Sequence, residues 1–342
     1  MANQEIPILS FFSGAGGLDY GFSKERFKVL LACDNFPAAV ASYNLNAKRK
    51  NAQQIDLSDV PPADLCKTID KLSPGCPPEG IVGGPPCQGF SRGNVQASPK
   101  DPRNLLSFRY AEILGALNKR YAMKFFVFEN VMGLLAPKHA NRFDSIRKAF
   151  HHAGFNLFHH DLDAQDFGVP QRRRRLFLVG LNKEIFPDTD FIFPAGHVRK
   201  VTVRDAIEGL PEPAYFERGL KPTDIAYHPN HWTMMPKSDK FLSESSTGGR
   251  SFRRLDWDKV SPTVAYGNRE IHVHPNGNRR LSVHEAMILQ GFPATYRLAG
   301  NFSQQITQVS NAVPPPVAQV LARAVRRALQ TEARTTDRQS CL

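Results

Sequence analysis

The sequence predicts an α/β fold with a doubly wound, mostly parallel sheet and a smaller, loop-rich second domain. From Ile6 to about Leu181, short apolar runs alternate with helical patterns, as they do where helices cover both faces of a parallel sheet. A glycine-rich segment follows the first run directly, at the position where such sheets bind ligands. From about Asn182 to Arg280 the alternation stops, and prolines, aromatic residues and histidines replace it.

Five apolar runs are the predicted strands of the first domain, and a sixth short strand is predicted within 53–60. The runs are 6–12, 27–34, 80–84, 124–131 and 175–181. Pro37 suits the first turn of a helix, where its missing N–H needs no partner. After Val313, three prolines precede a helix whose apolar residues recur on one face. They are Val317, Val320, Leu321, Ala324, Val325, Ala328 and Leu329. This face is expected to dock on the sheet.

These elements divide the chain into four predicted segments. Residues 1–185 form the first domain and residues 186–280 form the loop-rich second domain. Residues 281–330 return to complete the first domain, and residues 331–342 show no periodicity and are expected to be disordered.

Charge and cysteine content restrict the function classes. The formal net charge of +12 favours a polyanionic partner such as nucleic acid, although a merely soluble basic protein can carry the same charge. The five cysteines include no Cys-X-X-Cys pair, which argues against a disulfide framework and a zinc cluster. No run approaches the ~20 apolar residues of a membrane span, and no signal pattern is visible. A cytoplasmic protein without a membrane partner is therefore expected.

The glycine-rich segment 11–22 reads FFSGAGGLDYGF. It departs from the dinucleotide fingerprint, because Asp19 stands where the third glycine would follow Gly14 and Gly16. An acidic residue there disfavours a pyrophosphate. A plain tight turn could also explain these glycines, so the segment is a weak signal when taken alone.

Asp34 ends the second predicted strand, where related sheets place a carboxylate on ribose hydroxyls. The predicted ligand is therefore a nucleoside without a phosphate chain, and S-adenosylmethionine fits that description. Phe12 is available to flank its adenine or methionine moiety, and Asp56 would lie near the adenine.

Cys87 follows a predicted strand in the segment 83–91, GGPPCQGFS. Prolines and glycines shape this loop, whereas a packing cysteine needs no such turn. Cys87 is therefore the candidate nucleophile. Glu129 ends the next long strand and is expected in the same crevice, where burial would raise its pKa. The alternative is that Glu129 and Asn130 cap the following turn.

Four arginines precede the last predicted strand in the segment 170–180, PQRRRRLFLVG. Alternation along a strand sends Arg173 and Arg175 to one side and Arg172 and Arg174 to the other. Their planar guanidinium groups suit phosphates or a base carbonyl. A solvated charge run is the ordinary alternative.

Six motifs, in order along nearly the whole chain, resemble those of the DNA (cytosine-5) methyltransferases of bacterial restriction-modification systems. They are FFSGAGGLDYGF, GGPPCQGFS, FENV, PQRRRR, RRLSVHEAMILQGFP (279–293) and QVSNAVPPPVAQ (308–319). The resemblance implies a Rossmann-like methyltransferase domain, with residues 186–280 as the target-recognition domain. His284 and Glu285 stand where the family usually has Arg-Glu, and this change is expected to be structural.

The resemblance implies a role for each catalytic candidate. Cys87 would attack C6 of a flipped-out cytosine, so that C5 takes the methyl group. Glu129 would meet N3 and the exocyclic amine. Arg175 would contact the base carbonyl and, together with Arg173, order the catalytic groups.

The resemblance also implies a cofactor site for S-adenosylmethionine. Its residues would be Phe12, Gly14, Gly16, Gly17, Asp34, Asn35, Asp56, Leu57, Pro86, Asn311 and Ala312. The expected partner is double-stranded DNA, bound by a monomer, with a cognate restriction endonuclease possible as a separately encoded protein. No metal is expected, because Pro229 prevents a helix from presenting both His228 and His231.

Two other functions remain open at this stage. A cytosine-5 methyltransferase could act on transfer RNA, but the long region before the RRLSVHEAMILQGFP motif favours a domain that reads DNA bases. A catalytically silent nucleic-acid-binding module would not require Cys87, Glu129 and Arg175 together.

Overall fold

The computed structural model describes residues 4–86, 105–196, 199–236, 253–263, 265–266 and 270–339. The predicted nucleophile Cys87 lies outside the described residues, whereas the two prolines before it lie within them.

Seven strands form the central sheet. They are Ile6–Phe11 (β1), Phe27–Asp34 (β2), Ala52–Gln54 (β3), Gly80–Gly83 (β4), Phe125–Val131 (β5), Phe155–Asp163 (β6) and Arg174–Asn182 (β7). Their order is β3-β2-β1-β4-β5-β7-β6. Neighbours among β1 to β5 pair in parallel, and β7 is antiparallel to both β5 and β6. The predicted α/β fold is confirmed, and the strand order reverses between β1 and β4, where such sheets bind ligands.

The strand β6 was not predicted from the sequence. It lies at the edge of the sheet and pairs only with β7 among the seven strands. Its central residues His159 and His160 are exposed, so its sequence FNLFHHDLD lacks the apolar run of a buried strand. The antiparallel direction of β7 follows from this hairpin-like pairing, which the βαβ pattern of the sequence did not reveal.

Nine α-helices surround the strands in the described part of the chain. They are Gly17–Lys24 (α1), Pro37–Asn46 (α2), Pro62–Leu72 (α3), Leu106–Tyr121 (α4), Ala140–His152 (α5), Val203–Ile207 (α6), Val283–Leu289 (α7), Phe302–Asn311 (α8) and Pro315–Gln339 (α9). Short 3-10 helices span Met132–Leu135, Pro137–His139, Ala164–Phe167 and Pro222–Asp224. None of the helices in the described ranges combines the length and apolar composition of a membrane span.

Alternating strand residues build one apolar core on each face of the sheet. Phe126 and Phe128 pack with α4 and α5, while Phe125 and Val127 face the opposite cluster with α1 and α9. This alternation is the period-2 geometry of a strand. Both faces are therefore covered, as a parallel sheet requires.

The last helix docks as the sequence predicts. Val317, Leu321 and Val325 are buried in the same cluster as Ile8 and Phe22. The helix begins at the predicted prolines but continues to Gln339, within the segment for which disorder is expected. Residues 331–339 include three threonines, which are weak helix formers, but extension of an existing helix adds one backbone hydrogen bond for each residue that is fixed.

Residues 183–280 contain only short elements in their described parts. Four two-residue strands are Ala214–Tyr215 (β8), Trp232–Thr233 (β9), Ala265–Tyr266 (β10) and Glu270–Ile271 (β11). Trp232 and Val203 share an apolar cluster with residues of α7 and α8. The region and the return segment therefore share one core, and the boundary between them at 280 stays a prediction.

Candidate active site

The loop between β1 and α1 has an unusual backbone. Gly14 and Gly16 have φ angles of 53° and 89°. Phe12, which is not a glycine, also has a positive φ of 52°, a conformation that costs roughly 1–3 kcal/mol and clusters at ligand sites. A Cβ added to Gly14 would meet no atom within 4 Å. The loop therefore leaves open space above Gly14, where a ligand can approach the backbone.

Gly17 brings this loop against the segment that follows α8. A Cβ at Gly17 would lie 2.4 Å from the carbonyl oxygen of Val313 and 3.5 Å from Cβ of Ala312. The missing side chain thus allows the loop to touch the segment that contains Asn311 and Ala312. Two parts of the predicted cofactor site, far apart in sequence, meet here.

Asp34 stands at the carboxyl end of β2 and contacts the glycine loop. Its Oδ2 accepts a hydrogen bond of 2.8 Å from the Gly14 N–H, and its Oδ1 accepts one of 2.9 Å from the Phe36 N–H. Burial raises the pKa of Asp34. Each oxygen keeps a further lone pair, so the carboxylate fits the two hydroxyls of a ribose.

Asn35, Asp56 and Leu57 lie beside one another at the ends of β2 and β3. Asn35 Nδ2 donates a hydrogen bond of 3.2 Å to Asp56 Oδ2. The side chain and backbone N–H of Ser58 lower the pKa of Asp56, which keeps this exposed carboxyl charged. Leu57 is buried and anchors the segment beneath it.

Pro86 is exposed at the end of β4 and immediately precedes Cys87. Asn130 Nδ2, from the end of β5, donates a hydrogen bond of 3.3 Å to the carbonyl oxygen of Pro85. The Asn of the FENV motif therefore holds the loop that leads to Cys87. The turn-capping role expected of Asn130 does not include this contact, which the position of Asn130 directly after Glu129 could have indicated.

Glu129 is 8% exposed and lies close to Arg173 and Arg175. Arg175 Nε is 3.2 Å from Glu129 Oε1. Burial raises the pKa of Glu129, while the charges of Arg175 and Arg173 oppose the rise. A Cβ at Gly84 would lie 2.6 Å from Glu129 Oε2, so the glycine after β4 provides the space that this carboxyl occupies.

The arginines alternate as predicted. Arg172 and Arg174 are exposed, and Arg174 pairs with Asp161. Arg173 is only 2% exposed, and its Nη2 donates a hydrogen bond of 2.7 Å to the carbonyl oxygen of Ser310. Burial lowers the pKa of Arg173 and that of Arg175. The structure thus brings Glu129, Arg173 and Arg175 together beside the loop that precedes Cys87.

The histidines His228, His231 and His284 form a buried joint between residues 183–280 and α7. The rings of His228 and His284 stack with centroids 3.9 Å apart. His231 Nε2 lies 2.7 Å from the Pro211 carbonyl oxygen, and Ser282 Oγ lies 3.0 Å from His231 Nδ1. Burial lowers the pKa of His228 to about 4 and that of His284 to about 3. Within the described ranges, no cluster of His, Cys, Asp and Glu is arranged to hold a metal ion.

Glu285, the neighbour of His284, has a structural role. It forms a capping box with Ser282, in which each residue accepts a backbone hydrogen bond from the other. Arg279 donates to both of its carboxylate oxygens at 2.9 Å. This buried pair fixes the start of α7.

The chain is similar to DNA methyltransferases over nearly its whole length. A family model described as C-5 cytosine-specific DNA methylase matches residues 6–327. The type II methyltransferase M.MthTI of Methanothermobacter thermautotrophicus is 33% identical over 350 residues, which cover 95% of this chain and 98% of that protein. The type II methyltransferase M.FnuDI of Fusobacterium nucleatum is 29% identical over 349 residues, covering 95% of each chain.

Two solved structures share the fold. A DNA modification methyltransferase encoded within an E. coli prophage superimposes with a TM-score of 0.76 at 24% identity, covering 95% of this chain and 100% of that one. The Entamoeba histolytica methyltransferase EhMeth superimposes with a TM-score of 0.67 at 17% identity, covering 96% and 99%.

Proposed function

The chain belongs to the C-5 cytosine-specific DNA methylase family, and from this premise we propose that it methylates C5 of a flipped-out cytosine within a specific duplex DNA sequence. It is a cytosine-C5 DNA methyltransferase of the type II restriction-modification type. The observation that carries the detailed proposal is the buried pair of Glu129 and Arg175, 3.2 Å apart beside the loop that leads to Cys87.

The proposed methyl donor is S-adenosylmethionine, which supplies a methyl group activated by a sulfonium centre. The open backbone at Gly14 and the carboxylate of Asp34 support a nucleoside at this position. Gly17 adjoins the segment carrying Asn311 and Ala312, and Phe12, Gly16, Asn35, Asp56, Leu57 and Pro86 would complete the site.

The proposed chemistry begins at Cys87, whose thiolate would form a bond with C6 of the cytosine. The electron pair displaced from the C5–C6 double bond makes C5 a nucleophile, while Glu129 gives a proton to N3. C5 takes the methyl group and then loses its proton to a base. The electrons of the C5–H bond restore the double bond and expel the thiolate, and N3 returns its proton to Glu129.

The arginines would stabilise charge during these steps. Arg175, which lies 3.2 Å from Glu129, would contact the base carbonyl. Arg173, which donates a hydrogen bond to the Ser310 carbonyl oxygen, would help to order the catalytic groups. Because C6 lies inside the stacked duplex, the cytosine must be flipped out to reach Cys87. Residues 186–280 would read the DNA sequence, which a separately encoded endonuclease would cut. Because the matching family and relatives are DNA methylases, transfer RNA is the less favoured substrate.

DNA containing 5-fluorocytosine tests this proposal. Fluorine cannot leave C5 as a proton does, so the enzyme should remain bonded to DNA after one methyl transfer. The denaturation-resistant adduct should require S-adenosylmethionine, and peptide mapping should find it on Cys87. Cys87→Ser should form none, because an alkoxide is far harder to generate than a thiolate. An adduct on another cysteine, or methylation of transfer RNA alone, would overturn the proposal.

A further inference from the structure

A buried glutamine pair joins the arginine segment to the cofactor segment. Gln171 Nε2 donates a hydrogen bond of 2.5 Å to Gln290 Oε1, and Gln290 Nε2 donates one of 2.6 Å to the Ala312 carbonyl oxygen. Gln171 is 0% exposed and Gln290 is 1% exposed. The three residues belong to segments far apart in the sequence, so these bonds connect parts of the chain that folding alone brings together.

Arg173 makes a second connection between the same two segments. Its Nη2 donates to the carbonyl oxygen of Ser310, two residues before Ala312. The segment 310–312 is therefore held at one end by Arg173 and at the other by Gln290. A displacement of this segment must move at least one of these side chains or break its hydrogen bond.

The position of Gln290 is set by a tight turn at the end of α7. Gly291 has a φ of 83°, and a Cβ there would lie 2.9 Å from Cδ of Pro316 and 3.4 Å from Cγ2 of Val169. The turn therefore packs directly against the start of α9 and against the chain just before Gln171. Because the surroundings of Gln290 are close-packed, a small displacement of one neighbouring segment is transmitted through Gln290 to the other.

Two polar atoms in the network of Gln171, Arg173 and Gln290 are buried without a hydrogen-bond partner among the described residues. They are Gln171 Oε1 and Arg173 Nε. Buried polar groups are nearly always paired. These atoms could form further hydrogen bonds in a second conformation of the network. A ligand in the cofactor site or in the DNA site can favour that conformation.

We infer that Gln290 and Gln171 are positioning residues that couple occupancy of the cofactor site to the placement of Arg173 and, through it, of the Glu129–Arg175 pair. The inference rests on the proposed function and goes beyond it, because neither glutamine touches the reacting atoms. Its consequence is reciprocal: cofactor must tighten DNA binding by the same factor by which DNA tightens cofactor binding.

The test measures this coupling in the whole protein. The dissociation constant of an unmethylated duplex that contains the enzyme's target sequence is measured with and without saturating S-adenosylhomocysteine. The affinity for S-adenosylhomocysteine is measured separately by calorimetry. In the unsubstituted protein, S-adenosylhomocysteine should tighten DNA binding at least about fivefold. Gln290→Met keeps the volume of the side chain but removes both hydrogen bonds, and should reduce the factor to below about twofold.

Gln305→Met is a matched control. Gln305 is also 1% exposed, accepts a hydrogen bond from Trp232 Nε1 and donates to the Gly300 carbonyl oxygen, but it does not contact the arginine segment in the described hydrogen bonds. This variant should keep the coupling even if it loses stability. Gln171→Met tests the hydrogen bond between Gln171 and Gln290 from its other partner. The double variant Gln171→Met/Gln290→Met should lose no more coupling than either single variant.

The outcomes separate the inference from the proposed function. A protein that binds neither S-adenosylhomocysteine nor duplex DNA refutes the proposed function. A protein that binds and methylates normally, but whose coupling factor is near one, overturns the inference. Retention of coupling in Gln290→Met and Gln171→Met, or equal loss in Gln305→Met, also overturns it.

Discussion

Glu129 is held by neighbours from two other parts of the chain, the glycine after β4 and the arginine segment. Gly84 leaves room for its carboxyl, Arg175 lies 3.2 Å from it, and Arg173 adds a second positive charge nearby. Desolvation favours the protonated carboxyl, and the two guanidinium groups favour the charged one. This balance suits the proposed role of Glu129, which would give a proton to N3 and regain it during one reaction.

The sequence predicts some of these residues and not others. Strand ends and alternation predict where Glu129, Arg173 and Arg175 lie, because placement follows from local backbone geometry, whereas their proposed roles come from the family resemblance. Gly84 and Gln290 were not predicted as functional, because their roles depend on contacts with segments distant in the chain. No local pattern distinguishes such a glycine or glutamine from one that merely packs.

Gly84→Ala should lower the methyl-transfer rate without weakening the binding of the cofactor. The new Cβ would lie 2.6 Å from Glu129 Oε2 and force that carboxyl to move. A displacement of about 1 Å at a catalytic group costs up to about a hundredfold in rate. Single-turnover kinetics and cofactor titration measure the two effects. Gly115→Ala is a control outside the site, because a Cβ there would make only an ordinary contact of 3.6 Å with Ala153. An unchanged rate in Gly84→Ala would show that the contact is unimportant.

Asp34→Ala should weaken S-adenosylmethionine binding. The carboxylate is proposed to accept hydrogen bonds from both ribose hydroxyls, and charge-assisted bonds contribute roughly 1.5 to 3 kcal/mol each. DNA affinity should change little, because Asp34 contacts the glycine loop and not the predicted DNA region. Calorimetric titration decides the matter, and an unaltered dissociation constant would remove Asp34 from the site.

At the scale of elements, apolar periodicity predicts the helices and strands that are buried in the core, but it does not predict strands whose side chains are partly exposed. The stripe of α9 lies in the core with Val317, Leu321 and Val325, because burial of that apolar face stabilises the docked helix. The edge strand β6 has exposed histidines at its centre, so its pairing with β7 was not visible. The reversed direction of β7 is a consequence of that pairing.

The histidine joint between residues 183–280 and α7 should make stability depend on pH. The folded pKa values of His228 and His284, about 4 and about 3, lie below the ordinary value of 6.5. The unfolded chain therefore binds more protons as pH falls below about 6.5, and the free energy of unfolding decreases. Above that pH both rings are neutral in either state, and this effect is absent.

His284→Phe should make this acid dependence shallower. Phe keeps a ring to stack on His228 but cannot bind a proton. Between about pH 6 and 4, the slope of the unfolding free energy against pH should fall by up to about 1.4 kcal/mol per pH unit. Urea unfolding at several pH values measures it, with the exposed His151→Phe as the control. Parallel curves for the unsubstituted protein and His284→Phe would contradict the role of this ring.

At the scale of the whole molecule, the proposed chemistry and the proposed DNA reading are carried by different segments that share a core. Trp232 and Val203 pack with residues of α7 and α8. Asn230 exchanges two hydrogen bonds of 2.8 Å with the backbone of Leu298. The sequence indicated a separate loop-rich region, but its contacts with the return segment join residues too distant in the chain for periodicity to predict.

Exchange of residues 185–275 for those of a relative with another target should change the methylated sequence and leave the chemistry intact. The proposed catalytic residues Cys87, Glu129 and Arg175 all lie outside the exchanged range. The graft must retain Asn230 and Trp232, because their partners Leu298 and Gln305 remain behind. Bisulfite sequencing of DNA from a methylation-free host reports the sites, and Cys87→Ser in the graft should abolish them. Methylation that stays at the original sequence would mean that specificity resides outside residues 185–275, since only that range would have changed.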